Sequence, residues 1–143
     1  MNKADNRGFT LGELVIVFVI VLIIVVALLP FVKYVSIRSD RIMCSNNLRE
    51  LGRASYIYAR ENNTKFPDSL KVLYDEQYLA DKRFVDCPAN AKIGTPEDPD
   101  YIYTAGLTVR SSSIEPLVRD KAKNHPDGVN MMHVNGAIVW CEE

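Results

Sequence analysis

The sequence predicts an α+β fold in which one long amino-terminal helix, apolar in its first half, packs against a small carboxy-terminal antiparallel β head. Three observations predict it. Leu14 to Val32 is a run of nineteen residues without a charged or polar side chain. Beyond it, Ile37, Arg41, Cys44, Leu48, Leu51, Ser55 and Tyr58 recur at steps of four and three, the spacing of one helix face. Near the end, Val129 to Val134 and Ala137 to Cys141 flank Asn135-Gly136, a hairpin signal.

The apolar run matches the roughly 30 Å hydrocarbon core of a bilayer at about 1.5 Å per residue. It ends in Leu28-Leu29-Pro30-Phe31-Val32 with no small-x-small site after it, so it reads as a span rather than a secretory signal. Lys3 and Arg7 precede it and Lys33, Arg38 and Arg41 follow it, so the count of positive charges does not orient it. Glu13 abuts the run, where a carboxylate is costly without a partner. Pro30 lies inside it, removes the hydrogen bond to the carbonyl of Val26, and predicts a kink or a locally opened turn.

The second half of the helix extends to about Asn62, with Ile42 and Ile57 widening its apolar stripe and Arg38, Asp40, Asn46, Arg53 and Arg60 opposite. From Thr64 on, turn formers interrupt the chain. A short helix is expected near Ser69 to Tyr78, capped by Asp68 or Ser69. Tyr101 to Val109 is a third strand candidate, broken at Ala105-Gly106. Asn135-Gly136 is expected to form a two-residue type I′ loop with positive φ at both positions.

Composition narrows function. The chain has 143 residues, 17 basic and 18 acidic side chains and a formal charge of −1. These residues hold one membrane segment and one small domain, not a multidomain enzyme, and the charge gives no reason to expect nucleic-acid binding. Cys44, Cys87 and Cys141 cannot all pair, and their spacing is far from that of zinc motifs, so no metal site is expected. His125 precedes a Pro-Asp-Gly turn and is expected to fix it through backbone hydrogen bonds, and His133 lies in a strand. No nucleophile motif accompanies either, so no catalytic residue and no cofactor is expected. Asp86, Asp98 and Asp100 could suggest calcium, but Pro96 to Asp100 reads more simply as a solvated acidic turn.

The string Arg7-Gly8-Phe9-Thr10-Leu11-Gly12-Glu13, followed by the apolar run, resembles the processing site of type IV prepilins and of the pseudopilins of type II secretion. Pro30 fits as well, twenty-two residues after Gly8. The resemblance implies a pilin-like fold and a bacterial inner-membrane protein with a single span. It implies a leader, residues 1–8, cut after Gly8 by a prepilin peptidase that also methylates Phe9. Residues 9–33 would be the membrane and polymerisation helix, 34–62 its continuation, and 63–143 the periplasmic head. Glu13 would neutralise the amino terminus of a neighbouring subunit in a homo-oligomeric filament. Other pseudopilins, membrane lipid and an inner-membrane assembly platform would be its partners.

Cys44-Ser45-Asn46-Asn47-Leu48-Arg49-Glu50-Leu51-Gly52, Asn62-Asn63, Phe66-Pro67 and Val85-Asp86-Cys87-Pro88 are similar to stretches of a major-pseudopilin-like group. So is the ending, His125, nine residues, then Asn135-Gly136, with Asn135 where that group has aspartate. The resemblance implies a Cys44–Cys87 disulfide; Cys87–Cys141 or three buried thiols are the alternatives. The function it implies is a structural subunit of a type II secretion-like filament. A type IV pilin for adhesion, motility or DNA uptake is the alternative, and a membrane-anchored binding domain that never polymerises is another.

Overall fold

The computed structural model describes residues 10–142, so the expectations for Gly8 and Phe9 lie outside the described residues. The chain divides into two compact units, one up to Ser36 and one from Ile37. Helix α1 (Leu11–Glu61) belongs to both. A second helix, α2 (Leu70–Asp75), and a single 3-10 turn (Lys82–Val85) precede four strands: β1 (Tyr101–Tyr103), β2 (Pro116–Asp120), β3 (Gly128–His133) and β4 (Ile138–Glu142). The sheet is an antiparallel meander in the order β1-β2-β3-β4.

In the first unit, α1 is apolar on every side. Its large side chains from Leu14 to Val32 are 49–67% exposed. Each costs about 1.5–3 kcal/mol to leave fully in water, and together they would outweigh the 5–15 kcal/mol that stabilises an ordinary domain. A helix apolar all round is stable where its surroundings are apolar, and one that satisfies its own backbone suits lipid. By length and composition it can cross a membrane. Of the kink or locally opened turn expected at Pro30, an opened turn is absent: the helix runs through that position. The ring still denies Val26 its carbonyl's partner, so the loss is confined to one hydrogen bond.

In the second unit, α1 turns a face of Cys44, Leu48, Leu51, Gly52, Ala54, Ser55 and Ala59 into the core. Ile42 and Ile57, expected to widen that face, are instead 61% and 41% exposed. Just after the leucines, Gly52 allows the sheet to come close. A Cβ on Gly52 would collide with the Met132 side chain of β3. The Tyr56 hydroxyl donates to the carbonyl of Val134. Beyond Glu61, Asn63 and Thr64 take left-handed φ of 53° and 68°, and the Thr64 amide returns to the Ala59 carbonyl at 2.8 Å.

Two local readings of the sequence are corrected. Ser69 precedes α2 but its side chain makes no capping hydrogen bond. The hairpin loop is not of the two-residue type. The Gly136 amide bonds the His133 carbonyl at 2.9 Å, the His133 amide bonds the Ala137 carbonyl at 2.9 Å, and positive φ occurs at Gly136 (83°) but not at Asn135. This is the three-residue loop with its glycine at the left-handed position. Val134, buried in the core, takes the first loop position, and Asn135 Oδ1 accepts from the Ala137 amide at 2.9 Å. Burial of Val134 thus lengthens the loop by one residue.

Strand β2 has no alternating signal in the sequence. It pairs with β3 through a bulge between Pro116 and Val118, and both Leu117 and Val118 are buried. Such an offset hides the two-residue period.

Candidate functional site

Two places carry the candidate residues. At the start of α1, Thr10 and Glu13 form a reciprocal cap. The Glu13 amide donates to Thr10 Oγ1 at 3.3 Å, and Glu13 Oε2 accepts from the Thr10 amide at 2.8 Å and from its hydroxyl at 2.9 Å. This capping box satisfies amides that the first helical turn leaves without partners. Both residues are exposed.

The second place is in the head. Cys44 of α1 and Cys87, just after the 3-10 turn, are joined in a disulfide with Cα atoms 5.7 Å apart, and both are fully buried. Cys141 is free and partly exposed. The loop that presents Cys87 is fixed by carboxylates. Asp100 Oδ2 accepts the Cys87 amide at 3.0 Å, its Oδ1 accepts from Asn90 at 2.7 Å, and Asp86 Oδ1 accepts the Gly94 amide at 2.7 Å. From the helix, Asn47 donates to the Asp86 carbonyl at 2.8 Å and to the Tyr101 hydroxyl at 3.1 Å. Burial pushes the Tyr101 phenol well above its usual range. Asp98 takes Lys92 and Lys121 as partners at 2.5 and 3.0 Å. The three aspartates considered for calcium therefore hold backbone amides, an asparagine and lysines.

His125 does not hold the turn after it, as the sequence suggested. Its ring is buried, with Nε2 3.7 Å from Cys87 Sγ and 3.4 Å from Asp120 Oδ2. Asp120, at the end of β2 and fully buried, accepts the backbone and side-chain amides of Asn130 at 2.7 and 2.9 Å. The Trp140 ring meets His125 edge-on at 5.8 Å and carries the Arg41 guanidinium 3.6 Å from its centroid. Arg41, which interrupts the apolar stripe, thus finds an aromatic face. His133 Nδ1 lies 2.6 Å from the Ile114 carbonyl.

The structure therefore brings Cys44, Cys87 and His125 together, while Asn135 and Gly136 shape the β3–β4 loop. Asp120 and Asn130 belong to the buried group, with the half-buried Trp140 beside it, and nothing in the sequence singles out either polar residue. Asp120 is one aspartate in a strand with no regular pattern. The one available signal is a charged pair, Arg119-Asp120, directly after an apolar pair, Leu117-Val118. No protein-family model, no curated protein and no solved structure matches the chain.

Proposed function

We propose that the chain is a structural subunit, a pseudopilin of a type II secretion-like filament, rather than an enzyme. It would be cut after Gly8 and methylated at Phe9 by a prepilin peptidase, and held in the bacterial inner membrane with its head in the periplasm. The supporting observation is one uninterrupted helix, α1, that exposes its large apolar side chains from Leu14 to Val32 and then supplies the core face of a small β head. A helix of that kind has two apolar environments open to it: lipid, and other copies of itself. Moving between them needs no refolding of the head. Glu13 would exchange its local partner, Thr10, for the amino terminus of a neighbour. A charge pair removed from water can offset the desolvation that a lone carboxylate cannot.

One observation favours a second reading, an anchored domain that does not polymerise. The capping box gives Glu13 a task within a single chain. Intact-mass analysis of protein purified from membranes, combined with cross-linking, separates the readings. A subunit yields a mature chain that begins with methylated Phe9 and cross-links into ladders. A chain still beginning at Met1 overturns the proposal, and a processed chain that remains monomeric supports the solitary anchor.

A further inference from the structure

We infer that in the dithiol form of this chain Cys44, Cys87, His125 and Asp120 hold one zinc-class divalent cation, and that closing the Cys44–Cys87 disulfide expels it. The inference rests on the geometry of the head and is independent of filament assembly. Ribosomes deliver both cysteines as thiols, so the dithiol form precedes the disulfide. A soft sulfur pair with an imidazole and a carboxylate is a donor set that zinc uses.

The spacing of the group carries the inference. Zinc–ligand bonds of about 2.3 Å to sulfur and about 2.0–2.1 Å to nitrogen or oxygen, in tetrahedral array, set sulfur and nitrogen about 3.6 Å apart and nitrogen and oxygen about 3.4 Å apart. His125 Nε2 stands 3.7 Å from Cys87 Sγ and 3.4 Å from Asp120 Oδ2. The 3.4 Å separation is long for a hydrogen bond and right for two ligands of one ion. The ligand atoms of Cys44, Cys87 and His125 all lie within 4.8 Å of one another. To hold the ion the two sulfurs must separate, to about 3.8 Å for the same bond lengths, and the four ligand atoms must close on one point.

A second observation points the same way. Asp120 Oδ1 is fully buried and has no hydrogen-bond partner, although Oδ2 has two donors from Asn130. A buried carboxylate oxygen without a donor is costly. A cation on Oδ2, the oxygen beside His125 Nε2, would offset the charge of a carboxylate whose other oxygen has no donor, and Asn130 would orient it as outer partners of metal ligands do.

The chemistry balances. Binding displaces the two thiol protons to solvent and forms two metal–thiolate bonds. Oxidation by a disulfide-bearing oxidant takes two electrons from the thiolates. The new Cys44–Cys87 bond forms, the oxidant's sulfur–sulfur bond breaks into two thiols with two protons from water, and the cation leaves.

The test uses the full chain in detergent micelles, reduced with a dithiol that is then removed without air, and cobalt(II) alone as the probe. The reduced protein is expected to bind one equivalent, with thiolate-to-cobalt charge-transfer absorption and tetrahedral ligand-field bands, and to surrender the cobalt to zinc. Oxidised glutathione should abolish the spectrum as the disulfide closes. Cys141→Ser should leave it unchanged, and His125→Ala should weaken binding by about tenfold or more. Reduced wild type without these bands, folded or unfolded by circular dichroism, overturns the inference. So does a spectrum lost in Cys141→Ser. For a His125→Ala chain that fails to fold, X-ray absorption of the wild-type zinc complex decides. Two sulfur and two nitrogen or oxygen neighbours support the site, and any other sulfur count overturns it.

Discussion

The Asp120 carboxylate and Asn130 are bound twice over: one oxygen accepts the backbone amide of Asn130 at 2.7 Å and its side-chain amide at 2.9 Å. This pair joins the end of β2 to β3 in the interior, and Asn130 continues to the Arg41 carbonyl of α1 at 3.3 Å. Sheet and helix are thus linked by polar groups as well as by the apolar face centred on Leu48 and Leu51. A buried charge held in this way is sensitive to loss of either partner.

Asp120→Ala should therefore destabilise the head by about 2–4 kcal/mol, because it takes their carboxylate acceptor from the backbone and side-chain amides of Asn130. Asp120→Asn keeps the shape, can hold its oxygen toward the Asn130 amides and set its NH2 where Oδ1 has no donor, and should cost less. Urea unfolding of the full chain in detergent, followed by near-ultraviolet circular dichroism from Trp140, measures both. A loss below about 0.5 kcal/mol, as expected of a surface site, would show that the pair is dispensable.

Reduction of the disulfide removes a covalent tie across 43 residues of sequence. By chain entropy, a loop of that size is worth about 4 kcal/mol. Cys44→Ser with Cys87→Ser should lower the unfolding free energy by that order, while Cys141→Ser, which touches no bridge, should leave it unchanged. Equal effects of the three substitutions would contradict the pairing.

Acid should loosen the loop before β1 in a defined window. The hydrogen bonds from Lys92 and then Lys121 hold Asp98 down to about 2. A carboxyl whose folded value is depressed contributes stability above its ordinary value of about 3.9, and the contribution is lost as pH falls toward 2. The thermal midpoint should fall between about pH 4 and pH 2, less steeply in Asp98→Asn, and added salt should shrink the difference because the pairs are exposed. Identical profiles for the two proteins would remove Asp98 from the account.

Much of the fold was legible because it rests on long periodic signals. Leu14 to Val32 and the stripe through Cys44, Leu48 and Leu51 each repeat enough to outweigh local exceptions. What escaped was decided by tertiary contact. Strand β2 hides its period behind the bulge at Leu117, and burial of Val134 converted an Asn-Gly loop into a three-residue one. Arg41 looked like a defect in the stripe until Trp140, ninety-nine residues later, supplied its aromatic face. His125 reads locally as part of its own turn, because nothing local shows that Asp120 and Cys87 lie beside it. Sequence spacing also argued against a metal set, since its residues come from a helix, a loop, a strand end and a turn.

Glu13 separates local from collective roles. Glutamine retains an oxygen that can accept from the Thr10 amide, so Glu13→Gln should keep the capping box, whereas Glu13→Ala removes it at about 0.5–2 kcal/mol to the helix start. Neither change disturbs the apolar run, so both chains should insert in membranes. If the carboxylate pairs with a neighbour's charged amino terminus, glutamine cannot replace it, and both variants should lose inter-subunit cross-links to the same extent. If Glu13 serves only its own helix, Glu13→Gln should cross-link like the wild type and Glu13→Ala should be weaker. Cross-linking yields of the three proteins at matched membrane levels decide between charge and cap, because the two substitutions agree on charge and differ in the hydrogen bond.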